Sequence, residues 1–132
     1  MILRTADAMG LDGVIYSASC DIYSPKVVRA TMGSLFRVPV CCTAALEPVL
    51  EACREAGVES CAAVVSGAAE LVGQCQFAAG TAAVIGNEGN GLPAEAIAAC
   101  DRRITIPMHG TIESLNAAMA AGIILWEIKR GR

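Results

Sequence analysis

The ten residues from Val84 to Pro93, VIGNEGNGLP, follow an apolar run and contain three glycines, Gly86, Gly89 and Gly91, within six positions. A glycine-rich loop at the end of a predicted strand is typical of a site where backbone comes very close to a ligand. A glutamate, Glu88, lies in the middle of this loop. Loops that bind phosphate avoid acidic side chains, because a carboxylate repels the ligand. The question is therefore which ligand accepts glycines and a carboxylate together.

The spacing of these glycines does not fit the two common phosphate-binding motifs. They form GxxGxG, whereas the dinucleotide-binding motif is GxGxxG, and no Lys-Ser/Thr pair follows as it does in a P-loop. Taken alone, the loop is also compatible with a plain glycine-rich turn.

The composition indicates one domain with more apolar surface than a small monomer easily hides. The chain has 132 residues, of which 55% are hydrophobic and 17% are charged, so we expect a subunit interface. The longest nearly apolar run, Ala117 to Trp126, is about half as long as a membrane span requires, and no stretch reads as a signal peptide. We therefore predict a soluble cytoplasmic protein without membrane association.

The seven cysteines do not have the spacing of a metal site. They contain no CxxC pair, and His109 is the only histidine. We interpret most of them as small core hydrophobes in a reducing compartment, and we predict no bound metal. The seven are Cys20, Cys41, Cys42, Cys53, Cys61, Cys75 and Cys100.

The net charge of −3 argues against a generally basic nucleic-acid binder. Positive charge is nevertheless concentrated locally, and a solvated surface is the default interpretation of each cluster. The clusters are Lys26 with Arg29 and Arg37, the pair Arg102 and Arg103, and Lys129 with Arg130 and Arg132.

Short apolar runs alternate with amphipathic segments along the chain. The predicted strands cover residues 13–17, 38–42, 60–65, 81–85 and 103–106. The predicted helices cover residues 1–9, 24–37, a segment around Leu46 to Cys53 that stops at Gly57, 93–100 and 114–129. This alternation predicts an α/β fold with a mostly parallel sheet and helices on both faces. Ligands of such sheets bind beyond the carboxyl ends of the strands.

A second strand runs into a glycine-bearing loop at Ile104 to Gly110, and Glu113 to Asn116 follows at the start of the final helix. Backbone N–H groups are free at a helix N-terminus. Helix capping by Ser114 or Thr111 would explain part of this polar cluster. Asn116, predicted just inside an apolar helix, indicates a buried amide that needs partners.

These segments resemble the SpoU/TrmH family of RNA ribose 2′-O-methyltransferases, in the SPOUT superfamily. The segments GNEGNGL (86–92) and IPMHGTIESLNAAMAAGIILWE (106–127) look like motifs two and three of that family. The segment ILRTADAMGLDGVIY (2–16) resembles the latter part of motif one, and SPKVVRATMGSLFRVPV (24–40) is also similar. The resemblance covers essentially the whole chain. It implies a C-terminal trefoil knot, and a homodimer that pairs through the first and last helices.

The resemblance also implies S-adenosylmethionine as methyl donor, with no metal. Gly86, Ile106 and Leu115 are implied to contact it largely through backbone, with Met108 beside the adenine and Gly91 in the same site. Glycine would be needed because a side chain would collide with the ligand. The donor carries a positive sulfonium and ammonium and no phosphate, so the carboxylate of Glu88 is tolerable. Glu88 would shape the active site or serve only as a loop-ordering hydrogen-bond acceptor.

Arg4 matches the arginine of motif one and is implied to be the central catalytic residue. Because arginine has a high pKa, we favour positioning of an RNA phosphate and electrostatic stabilisation over proton abstraction. Ser114 and Asn116 match the motif-three residues that orient the target nucleotide and the loops. The implied reaction is methyl transfer to a ribose 2′-hydroxyl of rRNA or tRNA.

The sequence departs from the family pattern at its start. Motif one also contains an asparagine upstream of the arginine, at a position that would precede Met1. We therefore interpret residues 1–132 as one SpoU-type domain that is incomplete at its N-terminus and has no separate RNA-binding domain. One alternative is a truncated or degenerate domain that dimerises and binds cofactor or RNA without catalysis. A weaker alternative is a flavodoxin-like nucleotide-binding protein, against which the acidic GxxGxG loop argues.

Overall fold

The computed structural model describes residues 2–17, 25–26, 29, 33–34, 37–87 and 91–130. The chain divides into two compact units, residues 1–46 and residues 47–132. Within these described residues each unit contains a parallel sheet, with two strands in the first unit and four in the second.

The first unit begins with helix α1 (Ile2–Met9), which ends where Gly10 takes a φ of +68°. Strand β1 (Val14–Ser17) then pairs in parallel with β2 (Val40–Thr43). Pro25, Lys26 and Arg29 are helical, whereas the predicted cap Ser24 lies outside the described residues. The predicted extension of that helix to Arg37 is wrong, because the chain turns at Gly33, where φ is +89°.

A polar cluster ties α1 to the turn that precedes β2. The carboxylate Oδ2 of Asp7 accepts hydrogen bonds from Ser34 Oγ at 2.9 Å and from Arg37 Nε at 2.8 Å. The hydrogen bonds from Arg37 and Ser34 hold the pKa of Asp7 below its ordinary value. Arg37, assigned to a solvated cluster from the sequence, therefore forms a specific ion pair.

The second unit carries the longer series of elements. Its strands are β3 (Glu59–Ala63), β4 (Glu70–Leu71), β5 (Thr81–Val84) and β6 (Arg102–Thr105), in the spatial order β4-β6-β3-β5. Its helices are α2 (Glu47–Glu55), α3 (Ala94–Ala99) and α4 (Ala117–Lys129). All of the strand pairs are parallel. The two-residue strand β4 was not predicted, because so short a segment has no recognisable period.

Burial along β3 shows that both faces of this central strand are covered. Side chains alternate between the two faces of a strand, yet the consecutive residues Ser60, Cys61 and Ala62 are all buried. Helix α2 contacts β3, and helix α4 contacts β5. The predicted α/β class with a parallel sheet is therefore confirmed.

The cysteines differ in their environment, against the prediction that most are core residues. Cys61 is fully buried, but Cys41 and Cys42 are exposed on β2. Consecutive residues of a strand point to opposite faces, so the exposure of both Cys41 and Cys42 shows that neither face of β2 is covered at these two positions.

In the described part of the chain, no helix combines the length and the apolarity that crossing a bilayer requires. The predicted cytoplasmic location stays a prediction.

Candidate functional site

A cavity of about 390 Å³ opens in the second unit at the carboxyl ends of β3, β5 and β6. Because these strands are parallel, the loops that follow them meet at one edge of the sheet. The final helix α4 and the segment before it close another side. The described lining residues are Ala63, Val64, Val65, Ile85, Gly86, Asn87, Gly91, Leu92, Ile97, Ile104, Thr105, Ile106, Met108, Glu113, Ser114, Leu115, Ala117, Ala120 and Ile124.

The structure brings together most of the residues that the sequence analysis selected for cofactor binding. Gly86, from the loop after β5, Ile106, from the loop after β6, and Leu115, from the segment before α4, all line this one cavity. Gly91, Met108 and Ser114 line it as well. The loop after β5 and the loop after β6, which are separated in sequence by α3 and β6, thus line a single cavity.

Three of the selected residues are not placed in this cavity. Glu88 lies outside the described residues. Arg4 is exposed on α1 in the first unit, and Asn116 is not among the residues that line the cavity. Their proposed roles in catalysis stay predictions.

Position 86 requires a glycine, because the backbone of the same loop leaves no room for a side chain. A Cβ atom built on Gly86 would overlap the carbonyl carbon of Gly91 and would lie 2.6 Å from the nitrogen of Leu92. The loop folds back so closely because Gly91 N donates to Asn87 O at 3.0 Å, while Gly91 adopts a φ of +65° that glycine favours. The sequence analysis expected a side chain to collide with the ligand, whereas this collision occurs inside the protein.

Asn116 is the N-cap of α4 and not a residue inside the helix. Its side-chain oxygen Oδ1 accepts a hydrogen bond from Met119 N at 2.9 Å, and its backbone is extended, with φ −64° and ψ 159°. The helix starts at Ala117, so the predicted start at Ser114 is wrong by one turn. Asn116 is exposed, and its polarity is explained at least in part by capping.

The chemistry of the cavity wall disfavours a phosphate ligand. The wall is mostly aliphatic, with polar side chains at Asn87, Thr105 and Ser114. Among the described lining residues, Glu113 is the only ionisable one, and none is a lysine or arginine. A carboxylate at an apolar cavity favours a ligand with positive charge.

Sequence reasoning missed one wall of the cavity, formed by Ala63, Val64 and Val65 at the end of β3. These side chains have no functional group that would indicate a site, and the sequence of the segment predicts only a buried strand. The available signal was topological, because a strand that neighbours β5 and β6 in a parallel sheet ends at the same edge.

Comparison with known proteins supports the resemblance that the sequence motifs indicated. The sequence profile of the SpoU rRNA Methylase family matches residues 1–126. The chain belongs to this family. The resemblance inferred from the three motifs is thereby confirmed, over nearly the whole chain.

Two relatives and one solved structure illustrate the similarity. The 23S rRNA (uridine(2479)-2′-O)-methyltransferase of Streptomyces viridochromogenes is 39% identical over 140 residues, covering 99% of this chain and 47% of that protein. The 23S rRNA (guanosine-2′-O-)-methyltransferase RlmB of Neisseria meningitidis is 34% identical, covering 98% of this chain and 52% of that protein. The structure of the SpoU methyltransferase AviRb from Streptomyces viridochromogenes in complex with AdoMet has a TM-score of 0.85 at 37% identity, covering 98% and 51%. The chain thus spans about half the length of these relatives.

Proposed function

We propose that this protein transfers a methyl group from S-adenosylmethionine to a ribose 2′-hydroxyl of rRNA or tRNA. The observation that carries the proposal is that Gly86, Ile106 and Leu115, three residues of two separate family motifs, surround one cavity. Family membership and the AdoMet complex of a similar protein support the same conclusion.

The cavity suits this cofactor in size and in charge. Its volume of about 390 Å³ lies within the range of roughly 300–1,000 Å³ that is typical of small-molecule sites. Aliphatic walls suit the adenine, and the carboxylate of Glu113 complements the positively charged part of the ligand. When bound, S-adenosylmethionine supplies an electrophilic methyl group on its sulfonium, so no metal is needed for the transfer.

Arg4 is proposed to act on the RNA. Its guanidinium would hold a phosphate beside the target ribose and stabilise the negative charge that develops as the 2′-hydroxyl loses its proton. The cluster of Asp7 with Ser34 and Arg37 fixes the helix that carries Arg4, because Asp7 lies one turn further along α1. Glu88, Ser114 and Asn116 complete the proposed set by shaping the site and orienting the target nucleotide.

The strand order supports the proposed trefoil knot. β6 lies between β3 and β4, although residues 64–69 join those two strands directly. Ala63, at the end of β3, and Glu70, at the start of β4, both pair with Ile104 of β6. The connection 64–69 therefore crosses β6 on its way from β3 to β4. The proposed knot would require β6 to pass through this connection, a threading that most folds avoid.

The surface of α4 supports the proposed homodimer. Met119, Ile123 and Trp126 lie at positions i, i+4 and i+7, on one side of the helix, and are 56%, 37% and 57% exposed. The opposite side of α4 is buried through Ala121, Ile124, Leu125 and Ile128. An apolar stripe that is exposed on a helix whose other side is already buried in the core is typical of a protein interface.

The test measures cofactor binding and methyl transfer to RNA separately. Calorimetric titration should show binding of S-adenosylmethionine, and incubation with tritiated cofactor and bulk rRNA or tRNA should yield 2′-O-methylated nucleosides after digestion. Arg4→Ala should abolish product formation while leaving cofactor binding intact. A folded protein that does not bind the cofactor would contradict the proposal, and binding without any turnover would identify a non-catalytic RNA- or cofactor-binding domain.

A further inference from the structure

Arg102, the first residue of β6, joins three separate segments of the second unit. Its Nε and Nη2 atoms donate to Glu70 Oε2 and Oε1 of β4 at 2.8 and 2.9 Å. Its Nη1 donates both to Glu59 Oε1 of β3 and to the backbone oxygen of Gln76, each at 2.8 Å. Through these four hydrogen bonds the guanidinium links β6 to β4, to β3 and to the segment at Gln76.

The environment of Arg102 distinguishes it from a surface ion pair. Its side chain is only 16% exposed, and its guanidinium carbon lies 5.4 Å from the centre of the Phe77 ring. The paired carboxylates raise the pKa of Arg102 above its ordinary value, and Arg102 lowers the pKa of Glu70. A bidentate pair of this kind fixes the orientation of the two side chains in addition to pairing their charges. A lysine cannot form two such parallel hydrogen bonds.

The loop 64–69 connects the hydrogen-bonded pair of Arg102 and Glu70 to the cavity. Ala63, the last residue of β3, and the first two loop residues, Val64 and Val65, form a wall of the cavity. Glu70 directly follows the last residue of the loop. One end of the loop is held by Val64 N, which donates to Ile104 O at 2.9 Å. The other end is held by the bidentate pair and by Val72 N, which donates to Thr105 O at 2.8 Å.

We propose that Arg102 is a positioning residue for the cofactor cavity, because its bonds to Glu59 and Glu70 align β3 and β4 with β6, and the wall Ala63–Val65 lies where β3 runs into the loop that joins these two strands. Arg102 is not itself among the residues that line the cavity. The inference rests on the proposed function, since it assigns S-adenosylmethionine to that cavity. It gives a role to a residue that sequence analysis placed in a solvated cluster.

The first test is Arg102→Lys, which keeps the charge and removes the bidentate pair. The Kd and the KM for S-adenosylmethionine should both rise about tenfold, because a displaced wall loses part of its contact with the bound cofactor, while kcat at saturating cofactor stays unchanged. Glu70→Gln should have the same effect, and the double variant should be little worse than either single one. Arg103→Lys is the matched control for cofactor binding, since Arg103 is the exposed neighbour on the same strand.

Hydrogen exchange without cofactor supplies a readout that does not depend on the proposed function. In Arg102→Lys and Glu70→Gln the amides of residues 64–72 should exchange at least several-fold faster, with little change in α4. A lower thermal midpoint with unchanged Kd and unchanged exchange at 64–72 would show a purely structural role and overturn the inference. If the wild-type protein binds no S-adenosylmethionine, the proposed function fails. The assignment of Arg102 to the cofactor site fails with it, and the exchange data then show only whether the bidentate pair holds the loop.

Discussion

The position where Gly86 would carry a Cβ atom is occupied by the backbone of Gly91. Replacing Gly86 with alanine must therefore push residues 91–92 away and open the loop that lines the cavity. We expect Gly86→Ala to lower the free energy of unfolding by about 1–3 kcal/mol and to remove measurable cofactor binding. Urea denaturation and calorimetric titration measure the two effects.

Gly110→Ala is the matched control, because an added Cβ at Gly110 meets no atom within 4 Å. It should bind the cofactor as the wild type does. Equal losses in the two variants would show that the close approach of Gly86 to Gly91 is not what the site requires.

The second prediction separates the capping of α4 by Asn116 from its proposed role in catalysis. Asn116→Ala should cost about 1 kcal/mol of stability, because Met119 N loses its acceptor. Asn116→Asp keeps an acceptor at the helix N-terminus and should recover that stability. If Asn116 also orients the target nucleotide, the methyltransferase activity of Asn116→Asp stays low although its unfolding curve is normal. An active Asn116→Asp variant would limit the role of Asn116 to capping.

The third prediction concerns Asp101, which directly precedes β6 and accepts hydrogen bonds from β3 and α2. Its Oδ2 accepts from Ser60 N at 3.0 Å, and its Oδ1 accepts from Arg54 Nη2 at 3.1 Å. The hydrogen bond from the Ser60 backbone, and then those from Arg54, hold the pKa of Asp101 below its ordinary value of 3.8. Ionised Asp101 thus contributes stability above pH 3.8, which is lost as the pH falls through the lower pKa of the folded state.

Urea unfolding of Asp101→Asn and wild type at several pH values tests this contribution. The variant should be less stable at neutral pH, and the difference should shrink as the pH falls below the ordinary pKa of aspartate. Asp12→Asn, a change at an exposed loop residue, should leave the stability near that of the wild type. A pH-independent loss in Asp101→Asn would mean that its charge is not what stabilises the fold.

The fourth prediction tests the apolar stripe of α4. Ile123→Lys places a charge at the centre of the stripe of Met119, Ile123 and Trp126, so the proposed dimer should dissociate. Sedimentation equilibrium should report a monomer for this variant and a dimer for the wild type. Ile123→Val keeps the surface apolar and should remain dimeric. A wild-type protein that is monomeric at micromolar concentration would contradict the proposed interface.

The fifth prediction concerns thiol reactivity. Burial raises the pKa of Cys61 to about 11, so its reactive thiolate form is scarce at neutral pH and is also inaccessible. Iodoacetamide should modify Cys41 and Cys42 of the native protein rapidly and leave Cys61 unmodified until the chain unfolds in urea. Peptide mass spectrometry locates the labels. Early labelling of Cys61 would show that β3 opens in the native state.

Local patterns were sufficient to predict most elements of the fold. Helix α1 ends directly before Gly10 and helix α2 ends two residues before Gly57. At these glycines φ is +68° and +78°, because glycine adopts without strain the left-handed conformation that often follows a helix. The apolar runs around Ala62, Ala83 and Ile104 were correctly predicted as strands, since buried parallel strands are apolar almost throughout. The boundary of α4 was missed, because Ser114 and Asn116 are both good caps and the sequence does not choose between them.

The sequence by itself determined the alternation of strands and helices, the glycine-bearing loops and the family to which the chain belongs. It did so because period, capping and glycine requirements act over a few residues. Only the tertiary structure decided that Ala63–Val65 forms a cavity wall, that Gly86 faces its own backbone, and that Arg102 binds Glu59 and Glu70. Arg102 contacts residues 32 and 43 positions away, and the geometry of such contacts depends on strand order, which neighbouring residues do not encode. The approach of Gly86 to Gly91 is local in sequence, but it depends on how the whole loop folds back.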